Sequence, residues 1–394
     1  VLAIFETHPV QYHAPVYRCL AERHGVSLHV VYGSDFSVSG ARDPDFGVRV
    51  GWGQDVLRGY SHEFLRPVAG GGPNQYAAVT SAGVAEAVAR INPRAGLVLG
   101  HAASFNRGAW WQLFKRRIPI LLRAEASDVD RPRQPARAAV RSLGLRLAYR
   151  HVDQVLYIGT RAREHYRAHG VPDERLVFSP YCVDTGPFRT AENDRQTLRG
   201  PMRAAWGVTD TDIVVLFSGK LTERKGVLDL VAAAARLPWA DRAVLVWLGD
   251  GRLLGDVRAR AAAQGVRSIF LGFRPQHQLS ECFHASDCLA LPSHDRETWG
   301  LVVNEGLHHG LPVVVSDRVG CAPDLVVEGR TGTIGAAGDV ASLSAALHRA
   351  RDLVGRPDVR SACRARVSPY SVEGAASGVA AAFSRLRPGR AAVA

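Results

Sequence analysis

Two carboxylates, Glu297 and Glu305, stand eight positions apart in the stretch RETWGLVVNEG, on either side of the apolar run LVV. A second stretch, FSGKLTERKG, carries Lys220 and Lys225, two of only three lysines among 49 basic residues. In a chain so rich in arginine, paired ammonium groups suit contact with a compact anion better than a planar fork would. If a helix starts near Gly300, the backbone N–H groups at its first turn, beside Thr298, Trp299, Gly300 and Leu301, make an anion site suited to a diphosphate. Glu305 lies farther along that helix, and its two oxygens would accept hydrogen bonds from neighbouring sugar hydroxyls. Two cations and a helix terminus would stabilise charge growing on a departing pyrophosphate. The plain alternative is a helix-terminal Glu and a buried Glu paired with Arg, and the adjacent lysines weigh against it.

The elements that must position these groups alternate. The strand VLAIF runs through ETHPVQYHAP into the helix VYRCLAERHG, and the same order repeats as far as QVLYIGT. Such alternation predicts a parallel sheet covered by helices on both faces. It lapses in the polar run RTAENDRQTLRGP and restarts with DIVVLFSG, RAVLVWLGDG, SIFLGF, CLALPS and PVVVSD. The expected organisation is an N-terminal domain over 1–188, a hinge over 189–205, a second domain over 206–370 and a final helix in 371–394 packing across the hinge. Ligands in doubly wound sheets bind outside the carboxyl ends of the strands, so two such domains facing across a cleft predict a reaction site there. The run LGDGRLLG falls one residue short of G-x-G-x-x-G and reads as a strand-end turn.

Composition narrows the class. The 394 residues suit two domains. No apolar run approaches the roughly 18–20 residues needed to cross a bilayer, and the first residues lack a basic-then-apolar leader pattern, so the expected location is cytoplasmic. The six cysteines form no C-x-x-C pair and sit mostly in apolar runs, which argues against a disulfide framework or a zinc site. The net charge of +12 is spread over every segment without an aromatic-basic stripe, which excludes a nucleic-acid groove and leaves an anionic substrate or a membrane surface. The helix PARAAVRSLGLRLAYR sets Arg137, Arg141, Arg146 and Arg150 beside Val140, Leu143 and Leu147. A solvated face above a core stripe is the favoured reading of it, and docking on an anionic bilayer the alternative.

The order SGKLTERKG, LGDG, FLGF, LALPS, ETWGLVVNEGLHHGLPVVVSDRVG resembles the nucleotide-binding half of family 4 of the retaining glycosyltransferases, whose signature is an E-x7-E pair. YCVDTGPF resembles that family's segment before the hinge. The resemblance implies the GT-B fold, two doubly wound Rossmann-like domains, and transfer of a sugar from a nucleoside diphosphate donor, expected to be a UDP-sugar, without a metal. Residue by residue it implies that Lys220 and Lys225, beside Gly219, contact the donor diphosphate. It likewise places Glu297 on the donor sugar, Glu305 on the ribose, and Phe273 and Arg274 at the edge of the base. The family usually has Gly-Arg where this chain has Gly219-Lys220, which keeps the charge and loses the fork.

For the first domain the resemblance implies that His101, at the end of the strand AGLVLG, contacts the donor sugar. The glycine-rich loop common after the first strand of relatives is replaced by ETHPVQYHAP. There His8, Gln11, Tyr12 and His13 would line an acceptor pocket, with Glu6, Arg123, Glu125 and Asp128 at neighbouring strand ends. These carboxylates suit a polar or aminated acceptor such as an aminocyclitol. D-x-D spacing occurs at 128, 43 and 210 alike, so it marks no metal site. A lipid-linked or glycan acceptor, a cyclitol pseudo-transferase, a sugar-nucleotide epimerase and a non-catalytic nucleotide-binding protein remain alternatives.

Overall fold

The computed structural model describes residues 1–39, 54–66, 79–128, 135–295 and 297–386. The D-x-D at 43 and the second aspartate of that at 128 lie outside these residues. The chain forms two compact units, Val1–Cys182 joined by the segment from Ser371 onward, and Val183–Tyr370.

The first unit holds strands β1 (Leu2–Glu6), β2 (Leu28–Tyr32), β3 (Ser61–Phe64), β4 (Ala95–Leu99), β5 (Ile120–Arg123), β6 (Gln154–Tyr157) and β7 (Leu176–Phe178). Its helices are α1 (Ala14–Glu22), α2 (Val84–Ile91), α3 (Ser104–Lys115), α4 (Pro135–Tyr149) and α5 (Thr160–Ala168). The sheet runs β3-β2-β1-β4-β5-β6-β7 with every pair parallel. All five residues of β1 are buried, as a strand covered on both faces must be. The strand order reverses between β1 and β4, so the crevice at their carboxyl ends is bounded by Glu6 and by the loop at Gly100 and His101.

The second unit repeats the plan with α6 (Glu192–Ala205), β8 (Ile213–Ser218), α7 (Val227–Ala234), β9 (Ala243–Leu248), α8 (Leu254–Ala263), β10 (Arg267–Gly272), α9 (Leu279–Ala285) and β11 (Cys288–Leu291). It continues through α10 (Leu301–His308), β12 (Val313–Ser316), α11 (Ala322–Leu325), β13 (Gly332–Gly335), α12 (Val340–Ala350) and α13 (Pro357–Val367). The order β10-β9-β8-β11-β12-β13 puts the reversal between β8 and β11. A core of Phe217, Trp247, Leu230, Val257 and their neighbours fills the space between sheet and helices.

Three sequence expectations meet a different outcome. The polar run expected as a hinge is the fourteen-residue helix α6, packed on α9 within the second unit. Its Arg199 and Arg203 reach the buried Asp287 at 2.6 and 3.1 Å, so residues that read as solvated serve as an internal ion network. The final helix α14 (Val372–Arg385) packs on α1 and on β7 of the first unit, where Ser179 Oγ donates to Ala375 O at 2.9 Å. The stripe on α4 is not a core face: Val140, Leu143 and Leu147 are 74, 61 and 49% exposed. All six cysteines are free and buried.

Candidate functional site

In the second unit the candidate groups converge on the strand-order reversal. The loop after β8 carries Gly219 and Lys220, with Lys225 ending a short 3-10 turn, Glu223–Lys225. Gly226 follows at φ +65°, and a Cβ there would lie 2.2 Å from Pro292 O, so only glycine lets this loop pass against the loop after β11. The strand-end turn LGDG holds the other side: Leu221 N donates to Asp250 O at 2.9 Å and Gly219 N to Leu248 O at 2.9 Å.

Glu297 enters this crevice from the loop before α10. Lys225 Nζ donates to its Oε2, and Ser293 Oγ donates to the same oxygen at 3.0 Å. That loop is pinned by backbone pairing, Gly320 N to Glu297 O and Cys321 N to Trp299 O, both 2.9 Å. A Cβ on Gly320 would lie 1.9 Å from Thr298 O, which fixes glycine there by contact. Trp299 is buried, its Nε1 donating to Asn304 Oδ1 at 2.8 Å, so it braces the helix entry. Gly300 is the N-cap of α10, which starts at Leu301. The first-turn N–H groups of α10 thus begin beside the Lys225–Glu297 pair, as the sequence predicts.

Glu305 occupies the second turn of α10 and is 7% exposed. Burial pushes its carboxyl up to about 8. No described residue gives its side chain a hydrogen-bond or ion-pair partner. Phe273 and Arg274 follow β10 on the exposed rim, Phe273 at 53% exposure.

The first unit encloses a separate cavity of about 350 Å³ beyond the ends of β4, β5 and β6. Among its walls are His13, His101, Arg123 and Glu125 of the sequence candidates, joined by Arg141, His165 and Tyr181. His101 Nδ1 is buried without a partner, and burial together with the charges of Arg141 and Arg107 holds its imidazole below the ordinary range, hence neutral at pH 7. The other acceptor candidates lie outside the walls. Glu6 is buried and accepts from Tyr17 Oη at 2.8 Å while meeting His13 Nδ1 at 2.5 Å. His8 meets Thr7 Oγ1 at 2.9 Å and stacks on Phe36, with Gln11 and Tyr12 half-buried in the same loop. Asp128 acts from behind, contacting Arg141 at 3.0 Å and His165 Nδ1 at 2.6 Å. His165 and His169 lie near enough to Asp128 to form a metal-like cluster. His169 Nδ1 is nonetheless spent on His165 O at 2.8 Å, so hydrogen bonding accounts for the group. His165 carries no local motif and only the topology reveals it, while Tyr181 opens the YCVDTGPF segment, whose sequence does not point to this cavity.

Comparison with known proteins follows the same division. Residues 199–353 match the family model described as glycosyl transferases group 1. A GDP-mannose-dependent alpha-(1-6)-phosphatidylinositol monomannoside mannosyltransferase of Mycolicibacterium smegmatis is 30% identical over 224 residues, 54% of this chain and 55% of the relative. A D-inositol 3-phosphate glycosyltransferase of Corynebacterium efficiens is 37% identical over 179 residues, 43% of this chain and 40% of the relative. The matched segments thus span about half or less of these relatives' length. The crystal structure of Anabaena Alr3699/HepE in complex with UDP aligns over 98% of this chain and 100% of its own, with a TM-score of 0.71 at 20% identity.

Proposed function

We propose that the chain, whose residues 199–353 match the group 1 glycosyltransferases and whose fold is GT-B, is a member of that family and moves a sugar from a nucleoside diphosphate donor, in the first instance a UDP-sugar, to a hydroxyl of a small polar acceptor with retention of configuration. The observation that carries the reading is the second-unit constellation: the Lys225–Glu297 pair beside the first turn of α10, with Glu305 buried and unpartnered on the same helix. Lys220 and Lys225 then neutralise the diphosphate together with the α10 terminus. Glu297, released as Lys225 turns to phosphate, meets the sugar, Glu305 takes the ribose hydroxyls, and Phe273 and Arg274 border the base. His101, the first-unit candidate, keeps a neutral imidazole on the wall of that unit's cavity. The leaving phosphate takes the acceptor proton, so no protein base is assigned and no metal is required.

UDP is preferred as the first donor because a structural neighbour over the whole chain holds UDP, although one relative's name specifies GDP-mannose. The test is a calorimetric titration with UDP and GDP, in chelator, on the parent and on Glu305→Ala. Saturable UDP binding, weakened at least tenfold in the variant, is expected; folded protein that binds neither nucleotide refutes the donor site. The exposed apolar stripe of α4 favours a second reading, the same transfer performed on an acceptor held at a membrane surface. Among the described residues no helix is long and apolar enough to cross a membrane. Glu6, Glu125 and Asp128, which the sequence offers to an aminated acceptor, each have a protein partner.

A further inference from the structure

We propose that the cavity of the first unit takes an acceptor bearing an anionic oxyacid group, a phosphate monoester or a carboxylate, with the Arg123 guanidinium as its counter-ion. This rests on the acceptor-side reading of that cavity given above. Arg123 is the last residue of β5, 7% exposed, and forms part of the cavity wall. Its Nη2 donates to Pro180 O at 3.0 Å and its guanidinium lies 5.2 Å from the Tyr181 ring centre. Nε is buried and meets no acceptor, and no carboxylate stands within ion-pair distance among the described residues. A buried cation without a counter-ion is costly, and an arginine so placed commonly awaits a bidentate oxyanion.

The carboxylates nearby do not fill that role. Glu6 is held by His13 and Tyr17, Glu125 accepts from Tyr181, and Asp128 is shared by Arg141 and His165. The cavity wall thus sets two guanidinium groups, Arg123 and Arg141, against one carboxylate, Glu125, and the charges of Arg141 and Arg107 add to burial in depressing the His101 imidazole. A phosphate or carboxylate would give Arg123 the counter-ion it lacks, which an ammonium group cannot do. The volume, near the lower end of the roughly 300–1,000 Å³ common for small-ligand sites, suits one sugar-sized ring with its charged substituent.

The test uses the full chain saturated with UDP, so that the donor site is occupied, and calorimetric titration with inorganic phosphate, glucose, glucose 6-phosphate and glucuronate. At least one of the two charged sugars is expected to bind tenfold or more tighter than glucose, and which of them does so separates phosphate from carboxylate. In Arg123→Gln that preference should fall to within about twofold while UDP affinity holds, and Arg123→Lys should restore part of it. Equal binding of glucose and both anions, or an anion preference undiminished in Arg123→Gln, overturns the proposal. Should Arg123→Gln fail to fold, the parent alone decides: with UDP present, phosphate must raise the melting temperature above chloride at equal ionic strength, and no rise is a refutation. Failure of the parent to bind UDP would instead remove the donor assignment, leaving the Arg123-dependent anion preference as a separate readout.

Discussion

Glu305 shows how one side chain couples burial to ligand chemistry. Its carboxyl, pushed up to about 8 by burial, is mostly protonated at pH 7, whereas a carboxylate accepting two ribose hydroxyls is favoured in its ionised form. Donor binding at pH 7 should therefore release a proton. Calorimetry of UDP binding in buffers of different ionisation enthalpy should show release of up to about one proton in the parent and none in Glu305→Gln, and equal heats in both buffers for the parent would rule the coupling out. The sign for stability follows from the same value. A folded-state value above the unfolded one, about 4.3 for Glu, favours the fold at low pH and loses that contribution as pH rises through about 8. Without ligand, Glu305→Gln should thus gain on the parent in urea midpoint between pH 5 and 9, with the gap closing toward pH 5.

At the scale of elements, helix α6 explains why some of the architecture was readable in advance and some was not. The strand-helix alternation was legible because parallel strands buried on both faces are continuous apolar runs, and Lys220, Lys225 and Glu297 were legible because they follow the ends of β8 and β11, where the chain turns polar. The run ENDRQTLRGPMRAA was not, since two of its three arginines pair with the buried Asp287 and polar residues with internal partners look the same in sequence as solvated ones. Asp287 accepts from Arg199, from Arg203 and, at 2.8 Å, from Val214 N at the start of β8, and its side chain is 2% exposed. Asp287→Ala should lower the stability of the second unit by about 3–5 kcal/mol, because it strands buried guanidinium groups. Urea unfolding followed by circular dichroism measures this, and a loss under 1 kcal/mol would show that the network does not hold α6. The acceptor-side cavity was half legible for a similar reason. His13, His101, Arg123 and Glu125 lie at strand ends or in a post-strand loop, which sequence order marks, while His165 arrives from α5 by topology alone and Tyr181, though it opens the YCVDTGPF segment, reaches the wall from beyond β7.

For the whole molecule, α4 places a part of the basic charge beside an exposed apolar stripe. A helical apolar stripe has the same period whether it faces a core or a docking partner, so sequence could not separate the two. The structure exposes Val140, Leu143 and Leu147 together with Arg137, Arg146 and Arg150. Trp111 and Phe114 on α3 are also 55 and 40% exposed, and the Phe114 ring lies 4.8 Å from His151, just past the end of α4. Apolar residues flanked by arginine are what an anionic bilayer binds, the apolar part by burial and each cation by about 1 kcal/mol near the surface. The parent should sediment with vesicles containing anionic lipid at low salt and much less with neutral vesicles, and the difference should shrink as salt shortens the Debye length. Replacing the stripe by Leu143→Glu with Leu147→Glu should abolish sedimentation while leaving UDP binding intact, because neither side chain belongs to the donor-site residues. A parent that stays in the supernatant with anionic vesicles at low salt would refute peripheral docking and assign the stripe no lipid role.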